Sequence, residues 1–161
     1  MNTQWAEHLV DCYADMLIRI GYTWFKNLFD AQDICQITLL KALERKEGFS
    51  SPEAEKAWVI RVAINECKNT KKSAWYRKTV GLTEGMHLSL EAPEDRGVLA
   101  EVQKLPLKYR KVIYLRYFEG YEVHEIADLL SISPALVSTH LARAKAKLKI
   151  TLGGEFNVRT I

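Results

Sequence analysis

Residues Glu125–Leu148 read EIADLLSISPALVSTHLARAKAKL. Apolar positions recur at helical spacing on both sides of a short break at Ser131–Ser133. Ile126 and Leu130 give the first helix its inner face, and Val137, Leu141, Ala144 and Leu148 give the second its buried stripe. Ser133 is a good N-cap and Pro134 suits the first helical position. Ala127 is small where the two helices must cross closely, and Ile132 is placed to plug the turn. This is the spacing of a DNA-binding helix-turn-helix, although a plain helical hairpin in a bundle meets it as well. In the first reading the outer face of the second helix enters a major groove through Ala135, Leu136, Ser138, Thr139 and Ala142. His140, Arg143 and Lys147 flank that face, within reach of phosphates.

Working outward, almost every other segment also reads as helix, so the chain is expected to be all-α. Residues 5–22 place Leu9, Cys12, Tyr13, Met16, Leu17 and Ile20 on one face. Residues 29–46 do the same with Ile34, Ile37, Thr38, Leu40 and Leu43, with Asp30 as N-cap, Asp33 adding first-turn charge and Gly48 closing the helix. Ser51 caps a third helix that starts at Pro52 and points Trp58, Val59, Val62, Ala63 and Cys67 inward. Between about Thr79 and Glu94 the period fails, with two glycines and a proline. The expected organisation is therefore a helical domain over 1–78, a linker over 79–94, a second helical domain over 95–150 and a frayed tail over 151–161.

Charge is uneven along the chain. Residues 1–40 hold five acids against two bases, and residues 61–78 hold six bases against one acid. Arg143, Lys145, Lys147 and Lys149 add a second basic segment with no acid among them. Two separated basic segments fit two contacts with a polyanion; each alone also fits an ordinary solvated helix face. Cys12, Cys35 and Cys67 are odd in number and widely spaced, with no CxxC pair and no Cys/His cluster, so buried, unreactive thiols and no metal are expected. The N-terminus lacks a signal-peptide pattern and no stretch has the length of a membrane span, so a cytoplasmic protein is expected. His8, His87, His124 and His140 lie far apart without an obvious acid partner. No nucleophile–base motif or cofactor signature stands out, so an enzyme is not expected.

The segment LPLKYRKVIYLRYFEGYEVHEIADLLSISPALVSTHLARAKAKL, Leu105–Leu148, resembles region 4 of the sigma-70 family. FDAQDICQITLLKALERKEGF, residues 29–49, followed by AWVIRVAINECKN, residues 57–69, resembles region 2. Two matches in the right order, joined by a short connection, are similar to the extracytoplasmic-function (ECF) group. The resemblance implies two small helical domains and a non-catalytic promoter-specificity subunit whose partners are core RNA polymerase and promoter DNA, with an anti-sigma factor as a partner the family admits. It implies that Asp30, Asp33 and Gln36 face the polymerase. It implies that the turn holding Phe49, Ser50 and Ser51 takes a flipped-out base of the −10 element, with Trp58, Arg61, Asn65 and Lys68 along the strand. Trp58 also sits at core spacing, and base stacking competes with core packing there. Trp75 and Tyr76 are either hydrophobic anchors or strand contacts. For the −35 element the implied contacts are Ala135, Leu136, Ser138, Thr139, His140, Arg143 and Lys147. Here the chain departs from the family, in which this helix start usually reads GTVKSRL. ALVSTHL replaces it, so two usual cations become Ser138 and His140, and Ser131 replaces the usual turn glycine. A stand-alone regulator, with the hairpin on an operator and the N-terminal bundle sensing or dimerising, is the alternative.

Overall fold

The structure, a computed structural model, describes residues 3–72 and 96–151. Those residues form α-helices and one π-helical turn, with no strand among them. The chain divides into two compact units between Ser89 and Leu90. The expected linker over 79–94, Trp75 and Tyr76 lie outside the described residues, as does the expected tail beyond Thr151.

In the first unit, α1 (Thr3–Phe25), α2 (Leu28–Glu44) and α3 (Pro52–Lys72) form a three-helix bundle in which each helix packs on the other two. Its core is Leu9, Tyr13, Met16, Leu17, Ile20 and Trp24 from α1, Ala31, Ile34 and Cys35 from α2, and Val59, Ile60, Ala63, Ile64 and Cys67 from α3. The closest approach is at Gly21, where an added Cβ would lie 2.6 Å from the Ala31 Cα. A glycine facing an alanine lets the two backbones meet. The connection from α1 to α2 is only Lys26 and Asn27. Lys26 turns the chain through φ 53°, and the Asn27 side chain accepts the Asp30 N–H at 3.1 Å. Asn27, not Asp30, is therefore the N-cap, because the helix begins at Leu28 and Asp30 already lies in its first turn.

Two other expectations change. Helix α2 ends at Glu44, where Arg45 turns extended, before Gly48 is reached. Its outer side exposes Ile37 (37%) and Leu40 (53%), which the period placed inward, together with Phe29 (48%). Three helices bury only one stripe of α2, and the apolar set on this helix is wider than that stripe.

The second unit contains α4 (Arg96–Lys104), α5 (Leu107–Ile113), a π-helical turn (Tyr114–Phe118), α6 (Val123–Leu130) and α7 (Pro134–Thr151). Val102, Leu105, Tyr109, Val112, Ile113 and Leu115 meet Ile126, Leu129 and Leu130 from α6 and Val137, Leu141, Ala144 and Leu148 from α7. The expected stripe of α7 is thus the observed one. Arg110 is buried and donates from Nη1 to the Leu105 carbonyl at 2.7 Å, which satisfies the end of α4; burial lowers its pKa to about 10. The α-helical geometry of α5 ends at Ile113. It widens at the π-helical turn, where the Glu119 N–H bonds back to the Tyr114 carbonyl, and Gly120 then turns at φ 78°.

Candidate nucleic-acid interface

The helix pair forms as its sequence dictates. The Glu125 carboxylate accepts the Glu122 N–H at 3.0 Å, the reciprocal half of a capping box. Ala127 is buried at the crossing, and its carbonyl accepts the Ile132 N–H at 3.1 Å. Ser131 occupies the left-handed region at φ 58°, ψ 45°, where glycine costs least. Ser133 Oγ accepts the Leu136 N–H at 3.1 Å and starts α7. Ile132 is only half-buried, so it closes the turn from its edge.

With Val137 fully buried, the opposite face of α7 is fixed. Ala135, Leu136, Ser138, Thr139, Ala142, Arg143 and Lys147 are all exposed on it. Leu136 is 40% exposed, unusual for a leucine with an adjacent core available. Thr139 donates its hydroxyl to the Ala135 carbonyl at 3.0 Å, leaving its oxygen lone pairs and its methyl to face outward.

His140 does not join this face. Its ring meets Tyr109 of α5 edge-on at 5.6 Å, and Nδ1 is buried without a hydrogen-bond partner. Burial first, then the charges of Lys108, Lys111 and Arg143, hold its pKa below the usual histidine range. Nδ1, being buried, is not available to a phosphate. The same neighbours show what the sequence reading missed. Lys108 and Lys111, on a different helix, share an electropositive corner with Arg143. Lys147 lies 5.9 Å from the Tyr109 ring centre on that side.

In the first unit the structure gathers an aromatic corner where α2 runs into α3. Phe49 and Trp58 stand with ring centroids 5.6 Å apart, and the Arg45 guanidinium lies 4.3 Å from the first ring centre and 5.0 Å from the second. Arg45 Nε also donates to the Glu47 carbonyl at 3.1 Å, so this side chain holds the turn that Gly48 was expected to make. Ser51 Oγ caps α3 through the Ala54 N–H at 3.0 Å. Trp58 is half-buried on the surface, not in the core, because Ile60 and Ile64 fill that space. Arg61 and Asn65 are exposed and Lys68 half-exposed; with Trp58 they follow one face of α3. Beside the turn is an open cavity of about 430 Å³ lined by Trp5, Leu43, Arg45, Phe49 and Glu55. Its aromatic and cationic walls suit a planar, electron-rich ring.

On α2, Asp33 and Gln36 are exposed and Asp30 half-buried. They share their side with exposed Phe29, Ile37 and Leu40, which makes an apolar surface edged by acid.

Below the cavity, His8 Nε2 lies 2.6 Å from Glu55 Oε1, and the Tyr13 hydroxyl donates to that same oxygen at 2.6 Å. No acid partner of His8 was visible in the sequence, because 47 residues separate it from Glu55. Cys12 is exposed, against expectation, while Cys35 and Cys67 are buried as expected.

One unit carries a capped helix pair with an exposed outer face, and the other an aromatic, basic surface. The family comparisons agree. Sigma-70 region 2 matches residues 9–77 and sigma-70 region 4 matches residues 96–148. The chain belongs to the sigma-70 family, in its ECF group. It is 31% identical to RNA polymerase sigma factor SigV of Bacillus subtilis, with 91% of this chain and 92% of that one covered. It is 28% identical to ECF RNA polymerase sigma factor SigW of the same organism, over 88% and 85%. In fold it is similar to the sigma factor RpoE of Bartonella quintana, solved with the anti-sigma factor NepR, with TM-score 0.69 at 18% identity and 93% and 98% covered. It is also similar to CnrH, solved with the cytosolic domain of CnrY, with TM-score 0.63 at 22% identity and 96% and 92% covered.

Proposed function

We propose that the two units divide the work of an ECF sigma factor, which binds core RNA polymerase and directs it to promoters. The observation that carries the division is the pairing of an exposed Leu136–Ser138–Thr139 face on α7, capped at its N-terminus by Ser133, with the Arg45–Phe49–Trp58 corner in the other unit. The first has the shape for duplex base edges, and the second has the chemistry for an unstacked base.

In this reading α7 lies in the major groove of the −35 element. Leu136 and the Thr139 methyl meet thymine methyl groups, and the Ser138 hydroxyl meets a polar edge. Arg143 and Lys147, with Lys108 and Lys111 beside them, neutralise phosphates. At the −10 element a base leaves the stack for the cavity beside Phe49, Ser50 and Ser51. Trp58, Arg61, Asn65 and Lys68 follow the strand. Asp30, Asp33 and Gln36, with Phe29, Ile37 and Leu40, form the polymerase-facing side of α2, since exposed apolar groups edged by acid fit a protein partner of opposite charge. The work is done in the bacterial cytoplasm, where the polymerase is. Among the described residues no helix is long and apolar enough to cross a membrane. The subunit performs no catalysis, and an anti-sigma factor is a further partner that this reading admits.

The test is reconstitution with bacterial core enzyme. The Asp33→Lys variant, altered at an exposed position, should fold normally and lose co-elution with core polymerase. Full co-elution by that variant would remove α2 from the interface.

A further inference from the structure

Three groups from two helices meet in the first unit, and one of them, Glu55, also lines the cavity beside Phe49. Cys12 Sγ is exposed and lies 3.5 Å from His8 Nδ1, one helical turn earlier on α1. The other ring nitrogen, Nε2, lies 2.6 Å from Glu55 Oε1 on α3. Tyr13 donates its hydroxyl to the same carboxylate oxygen, and Trp5 stacks on the imidazole with centroids 5.4 Å apart. These contacts hold the ring from two sides and fix its tautomer. An ionised Glu55 can only accept, so Nε2 carries the proton and Nδ1 presents its lone pair to the thiol.

We propose that Cys12, His8 and Glu55 form a thiol-activating relay that makes Cys12 a modification site for small-molecule disulfides. His8 Nδ1 takes the proton of the Cys12 thiol, and Glu55 holds the resulting imidazolium at Nε2. The Cys12 thiolate attacks one sulfur of the small disulfide. The new Cys12–sulfur bond forms as the old sulfur–sulfur bond breaks, and the departing thiolate leaves with the proton from His8 as a free thiol. Cys12 is oxidised and half of the disulfide is reduced, so no further reagent is needed. The other two cysteines serve as internal controls. Burial, then Asp15, raises the pKa of Cys35; burial, then Glu66, raises that of Cys67 well beyond the usual thiol range, partly offset by Lys71. Trp5 and Glu55 also line the cavity near Phe49, so the adduct would sit at its flank. The relay stands whatever that cavity binds.

The test exposes the full-length folded protein to oxidised glutathione at neutral pH, with adducts followed by intact mass and located by peptide mapping. One adduct is expected, on Cys12, and Cys12→Ser should remove it. His8→Ala should slow its formation at least about tenfold, the loss expected when a positioned base is removed. Glu55→Gln, which keeps the shape of the side chain, should slow it as well. Parent-like helical content and a cooperative unfolding transition above the assay temperature show that each variant is folded, and only folded variants are compared. An adduct that forms equally fast in folded His8→Ala overturns the relay, as does reaction of Cys35 or Cys67 at the rate of Cys12.

Discussion

Single side chains carry most of the discrimination in this account. Leu136 and Ser138 sit where base edges are expected, whereas Lys147 lies on the phosphate side of the same helix. Changing a base contact alters preference by about 1–3 kcal/mol, whereas losing a phosphate contact weakens all sequences alike. Leu136→Ala or Ser138→Ala should therefore reorder a −35 promoter library. Lys147→Ala should lower every promoter without reordering them and reduce the salt slope by about one unit. If Lys147→Ala alone reorders the library, α7 is docked in another orientation. Ser131 offers a cleaner test of backbone chemistry. Its left-handed φ of 58° strains a residue with a Cβ, and its side chain is exposed. Ser131→Gly should thus raise the stability of the second unit by roughly 0.5–1 kcal/mol in denaturant unfolding. No gain would mean that the turn makes a compensating contact through the serine.

At the scale of helices, the close approach of α1 and α2 depends on Gly21 having no side chain. Gly21→Ala should wedge the pair apart and cost about 1–3 kcal/mol, read from the unfolding of the first unit. An unchanged unfolding midpoint would show that Ala31 can move aside. Beside their apolar core, α1 and α3 share one charged contact, His8 and Tyr13 with Glu55, whose strength is expected to depend on pH. Burial raises the Glu55 pKa, but hydrogen bonds from Tyr13 and His8 and the His8 charge outweigh it and hold the group below the usual carboxylate range. A group lowered on folding stabilises fully above its unfolded pKa, and that stability is lost as pH falls through the folded value. Glu55→Gln should flatten the acid side of the stability profile, and an identical profile would contradict the linkage. Helix positions were legible in the sequence because a 3.6-residue period survives any tertiary arrangement, as Val137, Leu141, Ala144 and Leu148 show. Contacts between distant segments were not. Nothing local pairs His8 with Glu55, turns His140 toward Tyr109, or places Arg45 between Phe49 and Trp58. The exposure of Ile37 and Leu40 was hidden for a related reason: the period marks apolar positions but does not say how little of α2 the bundle covers.

For the whole molecule, two compact units with separate cores follow from a chain whose apolar period lapses between two helical stretches. The division also explains why the readable surfaces are so far apart in sequence. In the proposed reading one unit offers a helix for duplex DNA and the other an aromatic corner for an unstacked base, and each surface alone is small for tight, specific binding. The central claim is that polymerase holds the two together on promoter DNA. A gel shift with promoter DNA, run with the chain alone and with the chain bound to core enzyme at the same salt concentration, tests it most directly. A sequence-specific shift is expected only when core enzyme is present. A tight, sequence-specific shift by the chain alone, unchanged by core enzyme, would contradict it and point to a stand-alone regulator.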